Sequence, residues 1–81
     1  MTRTEVLSAA LARRLIASQG RALRVKHQLS VPEVAGALGV SPVVVTSWES
    51  GRAQPRRANA LAYAELLMEL DALDEDAGDA S

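Results

Sequence analysis

The stretch from Leu29 to Gly51 twice sets a serine just ahead of a proline, at Ser30-Val31-Pro32 and at Ser41-Pro42. A serine hydroxyl ahead of a helix accepts from a free first-turn amide, and proline in the first turn lacks only a donor that would go unused. Glu33 follows Ser30 by three residues, the spacing at which the two side chains cap each other's backbone. Gly39 stands between the two starts, where a chain leaving a helix needs a left-handed residue, and Gly51 stops the second helix after Ser50. These signals predict two short helices joined by a three-residue turn.

The apolar residues inside this stretch predict how the helices meet. A helix-turn-helix requires a steep crossing over a short turn that often contains glycine. Ala35 is small enough for close approach, and Val40 can plug the angle between the helices. Val45 and Trp48 are three apart and share a face. They can pack inward while the opposite face of the same helix stays free.

The rest of the chain reads as helical too. Thr2 and Glu5 have capping-box spacing, and Val6, Leu7, Ala10, Leu11, Leu15, Ile16 and Ala17 follow at helical intervals. Ser18-Gln19-Gly20 predicts a break or kink, and a second helix runs from there to about Gln28. Arg52 to Arg56 reads as a loop containing Pro55, and a last helix covers about Arg57 to Leu73. No segment reads as a strand. The expectation is an all-α, five-helix chain: an N-terminal helix over 1–19, a helix-turn-helix unit over 20–73, and a disordered acidic tail over 74–81.

Charge is unevenly spread. All nine basic residues lie between Arg3 and Arg57, opposed there by Glu5, Glu33 and Glu49 alone. Residues 58–81 carry seven acids and no base. A basic body with an acidic end points toward a polyanionic partner. The absence of cysteine excludes disulfides and thiolate metal sites. Arg13 and Arg14 interrupt the first apolar stretch, which is too short for a membrane span. There is no paired-carboxylate arrangement on the basic body, no glycine-rich phosphate loop and no nucleophile–base pair, so no catalytic residue, enzyme activity, metal, cofactor or small-molecule ligand is expected.

Leu23-Arg24, Leu29-Ser30-Val31-Pro32-Glu33-Val34-Ala35, Leu38-Gly39-Val40-Ser41, Val45-Thr46-Ser47-Trp48-Glu49-Ser50-Gly51 and Pro55 together resemble the lambda-repressor and Cro type of helix-turn-helix family, the XRE type. The resemblance spans residues 20–70. It implies that the helix starting at Pro42 docks in the major groove of double-stranded DNA. It places Pro42, Val43, Thr46 and Ser47 toward bases, with Val44 at the margin. Val31 (through its backbone amide), Ser41, Arg52, Gln54, Arg56 and Arg57 would lie along phosphates. Arg24 and Glu49 would form an internal ion pair that fixes the recognition helix on the body. The base-facing set has no arginine, glutamine or asparagine, so direct readout would rest on valine methyls and two hydroxyls.

The resemblance further implies a small repressor or Cro-like regulator in a bacterial or phage-infected cytoplasm, acting as a homodimer in solution or only on DNA. From the apolar residues themselves, the candidate dimer surface is Leu66, Leu70 and Leu73 on the last helix, with Leu7 and Leu11 on the first helix as the second choice. The competing reading is a protein-interaction module, such as an antitoxin or a phage excision factor. His27, Trp48 and Tyr63 read as surface or packing residues.

Overall fold

The computed structural model describes the backbone of residues 1–79 and the side chains of residues 1–73. The helices are α1 (Arg3–Leu15), α2 (Arg21–Lys26), α3 (Val31–Leu38), α4 (Pro42–Ser50) and α5 (Arg57–Asp79). A π-helical turn, Ile16–Gly20, joins α1 to α2 without a break, so the described residues form four helical rods rather than five.

That turn replaces the predicted interruption. Gly20 has φ −55° and ψ −52°, ordinary helical values. The extra residue is absorbed by the wider register, the usual form of a π-bulge within a helix. The Ser18 hydroxyl donates to Arg14 O at 2.7 Å, giving a carbonyl just before the widened turn a side-chain donor. α2 then ends at Lys26 rather than Gln28. Gln28 has φ 59°, and Leu29 N–H reaches back to Arg24 O at 3.0 Å, closing the helix end in the way a glycine usually does.

The caps around α3 follow the local sequence. Ser30 Oγ accepts from Glu33 N–H at 3.2 Å, and Glu33 Oε1 accepts from Ser30 N–H at 3.1 Å. The second contact holds the Glu33 carboxyl below its ordinary range. At α1 only half of the corresponding box forms. Thr2 Oγ1 accepts from Glu5 N–H, but the Glu5 carboxylate turns to Arg57 instead.

The core gathers Ala12, Ile16, Val34, Ala35, Val45, Trp48, Ala60, Tyr63, Ala64 and Leu67. On α5 the buried set Ala60, Tyr63, Ala64 and Leu67 has helical spacing. The buried face of α1 is Ala9, Ala12 and Ile16, whereas Val6, Leu7 and Leu11 are at least half exposed. Size explains this phase. α1 packs on α5, whose buried residues include Ala60 and Ala64, and small residues let two backbones approach where leucines would hold them apart.

α5 continues to Asp79, so residues 74–79 of the tail expected to be disordered are helical. Ala72, Leu73, Glu75 and Ala77 carry helical propensity past the point where acids oppose the helix dipole. Residues 80 and 81 of that tail lie outside the described residues.

The demand at Gly20 is therefore for small size rather than for a special conformation. A Cβ there would lie 3.6 Å from Ile16 Cγ2 and 3.7 Å from both Glu49 Cγ and the Tyr63 hydroxyl, ordinary contact distances. Gly20→Ala should stabilise the fold by about 0.5–1 kcal/mol through helix propensity and the unfolded state. Gly20→Val should destabilise it, because γ-carbons would press on Glu49 and Tyr63. Urea unfolding of the three proteins checks this order.

Candidate nucleic-acid interface

α3 and α4 meet at 106° across Gly39, Val40 and Ser41. Gly39 makes the turn possible with φ 71°, and Val40 N–H donates to Ala35 O at 3.0 Å, closing the end of α3. The angle falls within the 90–120° of a helix-turn-helix pair. Ser41 sits at the N-cap of α4 in an extended conformation, but its hydroxyl makes no capping bond. It is exposed at the start of the helix.

α4 has two different faces. Val45 is fully buried and Trp48 is 5% exposed. Pro42, Val43 and Thr46 are exposed, Val43 by 74%, while Val44 is marginal at 37% and Ser47 is half-buried. Thr46 Oγ1 donates to Pro42 O at 3.2 Å. With its proton engaged there, the hydroxyl presents acceptor lone pairs outward. A depression of about 480 Å³ brings together Val31, Pro42, Val43, Thr46, Ser47, Ser50 and Arg52.

The other residues read from sequence as phosphate contacts divide. Gln54 lines a separate hollow against α1, and Arg56 is exposed before α5. Arg57 is paired with Glu5, which supplies the negative charge that the N-terminus of α5 favours. At α3, Pro32 has no N–H and the Glu33 amide is used by Ser30, so Val31 N–H is the first-turn amide left for an outside acceptor among the described residues.

Behind α4 lies the connection that holds it. Arg24 and Glu49 form a bidentate pair, Nε to Oε2 at 2.8 Å and Nη2 to Oε1 at 3.0 Å. Arg24 Nη1 also donates to Leu29 O at 3.0 Å. The Tyr63 hydroxyl donates to the same Glu49 Oε2 at 2.5 Å. Sequence reasoning placed Tyr63 in the packing only, since nothing local links a residue on α5 to one on α4. The side chains of Arg24 and Glu49 are 11% and 5% exposed, so these bonds are largely shielded from water. Arg24 is held further toward its charged form, chiefly by its hydrogen bonds to Glu49. Two more links attach α1 to the segment after α4: Arg13 Nε to Pro55 O at 2.8 Å, and the Glu5–Arg57 pair.

Residues 10–76 match the family described as "Helix-turn-helix domain". The chain belongs to that family. The match covers more than half of its length and takes in both helices of the 106° pair, with a DNA-binding fold. No curated protein and no solved structure matches the chain. No single helix among the described residues of this helix-turn-helix protein is long and apolar enough to cross a membrane.

Burial and the bond to Glu49 raise the Tyr63 phenol above its ordinary 10.0. An unfolded tyrosine ionises first as pH rises. The stabilisation is therefore complete below pH 10 and is lost as pH climbs from there toward the raised folded value. Tyr63→Phe should cost about 1.5–3 kcal/mol at pH 8, the range for a hydrogen bond to a charged group. The gap between wild type and variant should narrow above pH 10. Urea unfolding at pH 8 and pH 11 checks both statements, and a gap that stays constant would detach Tyr63 from the ion pair.

Proposed function

We propose that this protein is a sequence-specific double-stranded DNA-binding transcriptional regulator of the XRE or Cro-like kind, a small repressor that seats α4 in the major groove. The observation that carries the reading is the two-faced α4. Its inward side is fixed by Val45, Trp48 and Glu49, and its outward side is exposed at 106° to the helix before it. A helix presented this way can enter a groove about 12 Å wide.

On this reading Val43, with Val44 at its edge, packs against thymine methyl groups. Thr46 accepts from the amino group of adenine or cytosine, since its own proton goes to Pro42 O. Ser47 and Pro42 complete the base-facing surface. Ser41, the Val31 amide and Arg52 hold phosphates beside α4, with Gln54, Arg56 and Arg57 further along the strand. Arg57 exchanges Glu5 for a phosphate. The surface lacks bidentate readers, so each position discriminates at the low end of about 1–3 kcal/mol, and DNA shape supplies the remainder.

Binding to duplexes of varied sequence across a salt series tests this reading. The logarithm of affinity should fall linearly with the logarithm of salt, with a slope of about −0.9 per phosphate contacted. Selection from random duplexes should return a site containing thymine. Absence of binding to any duplex at low salt would remove the DNA reading. The exposed Val43 and Val44 would then be read as a protein-docking face of an antitoxin or excision factor.

A nine-residue helix covers few base pairs, and two-fold proteins read two half-sites about 34 Å apart. The second copy would pair through the outer apolar residues of α1 and α5. Leu7, Leu11, Met68 and Leu73 are 50–63% exposed, whereas Leu66 and Leu70 are half-buried. Sedimentation at micromolar concentration, alone and with DNA, should show a dimer in at least one condition. A monomer in both rejects it.

A further inference from the structure

α1 ends its regular part with Arg13 and Arg14, and arginines there usually answer the exposed carbonyls of a helix C-terminus. That explanation does not hold in this fold. The helical run passes straight through the π-turn into α2, so the carbonyls near Arg13 and Arg14 are not a free end. Arg13 has a structural task, donating Nε to Pro55 O at 2.8 Å. Arg14 has none of this kind. It is exposed, and no carboxylate pairs with it among the described residues.

The two arginines border a hollow of about 440 Å³ between α1 and the segment that follows α4. Its charged and amide side chains are Arg13, Arg14 and Gln54, Trp48 also lines it, and no acid does. The small residues Ala10, Ala17, Gly51 and Ala53 leave the space open. The hollow begins at Gly51, and Arg52, the next residue, borders the depression along the outward face of α4. Arg52 thus borders one depression and Arg13 and Arg14 the other, and the chain passes from one to the other at Gly51–Arg52.

We infer that this hollow is a binding site for the sugar-phosphate backbone of the duplex that α4 engages, with Arg14 as its charged contact and Gln54 as a neutral donor beside it. The inference rests on the DNA-binding reading above and extends its footprint to the N-terminal helix. Arg13 acts as a positioning residue, since its bond to Pro55 O sets the width of the hollow. The occupant is a phosphodiester of the same duplex because the hollow adjoins the end of α4 and lies open beside it. Arg14 then neutralises one phosphate that the helix-turn-helix pair does not reach.

The test uses the full chain and one fixed duplex, with fluorescence anisotropy over 50–200 mM salt. Arg14→Ala should bind more weakly at low salt, with a slope shallower by about 0.9, the contribution of one phosphate. Over that range wild type should lose about threefold more affinity than the variant. Arg14→Lys keeps the charge and should restore the slope. Arg3→Ala removes the same charge about 16 Å away along α1 and should leave the slope as it is. An unchanged slope for Arg14→Ala, or an equal change for Arg3→Ala, overturns the site while wild-type binding leaves the DNA reading standing. Wild type that binds no duplex at low salt overturns both.

Discussion

Glu49 is the residue on which the arrangement turns. It lies in the last turn of α4, yet its carboxylate accepts from a residue on α2 and from a residue on α5. Arg24 in turn holds the carbonyl of Leu29, where the chain leaves α2 for α3. One carboxylate thus fixes α4 to both sides of the body. Breaking such a buried pair leaves an uncompensated charge, a loss of about 3–5 kcal/mol, which is much of the stability of a domain this small. Replacing it wholly by apolar groups would hold the body together as well. What the apolar replacement lacks is direction, and the bidentate fork of Arg24 is directional.

The π-turn fits this scheme. Gly20 sits at the end of the turn, against Glu49 and Tyr63, and a side chain larger than alanine there presses on the network. By carrying one extra residue the turn rotates α1 relative to α2, so that Ala9, Ala12 and Ile16 face α5 while Arg24 still faces α4. A strict α-helix over Arg3–Lys26 would shift one of these two faces off its partner. The geometry that seats α1 on the body and the geometry that orients α4 are therefore coupled through five residues.

How much of this was written in the sequence depends on the range of each interaction. The capped start of α3, the left-handed Gly39, the proline start of α4 and the stop at Gly51 are set by residues within four positions of one another, and they were readable. So was the division of α4 into an inward and an outward face. The phase of α1 was not readable, because its apolar residues fit helical spacing on more than one face, whereas the small residues of the folded body select Ala9 and Ala12 by size. Glu5 was read as a local cap, but its carboxylate finds Arg57, 52 positions away. Arg13 with Pro55 and Tyr63 with Glu49 are likewise pairings that only the folded chain brings together.

On the proposed DNA-binding reading, the outward face of α4 explains why its support is so heavily built. Two valines, a proline and two hydroxyls make shallow contacts whose value depends on close fit. A bidentate arginine or glutamine can adjust its rotamer to reach a base, but a valine methyl a fraction of an ångström away from a thymine methyl loses much of its attraction. A surface of this kind discriminates only if the helix arrives in one orientation. Val45 and Trp48 fix its depth, Arg24 and Tyr63 fix its rotation through Glu49, and the Arg13–Pro55 bond fixes the loop that leaves it. On that reading, rigid placement by buried polar groups substitutes for long polar side chains at the surface, and the reading power proposed for α4 is inseparable from the network behind it.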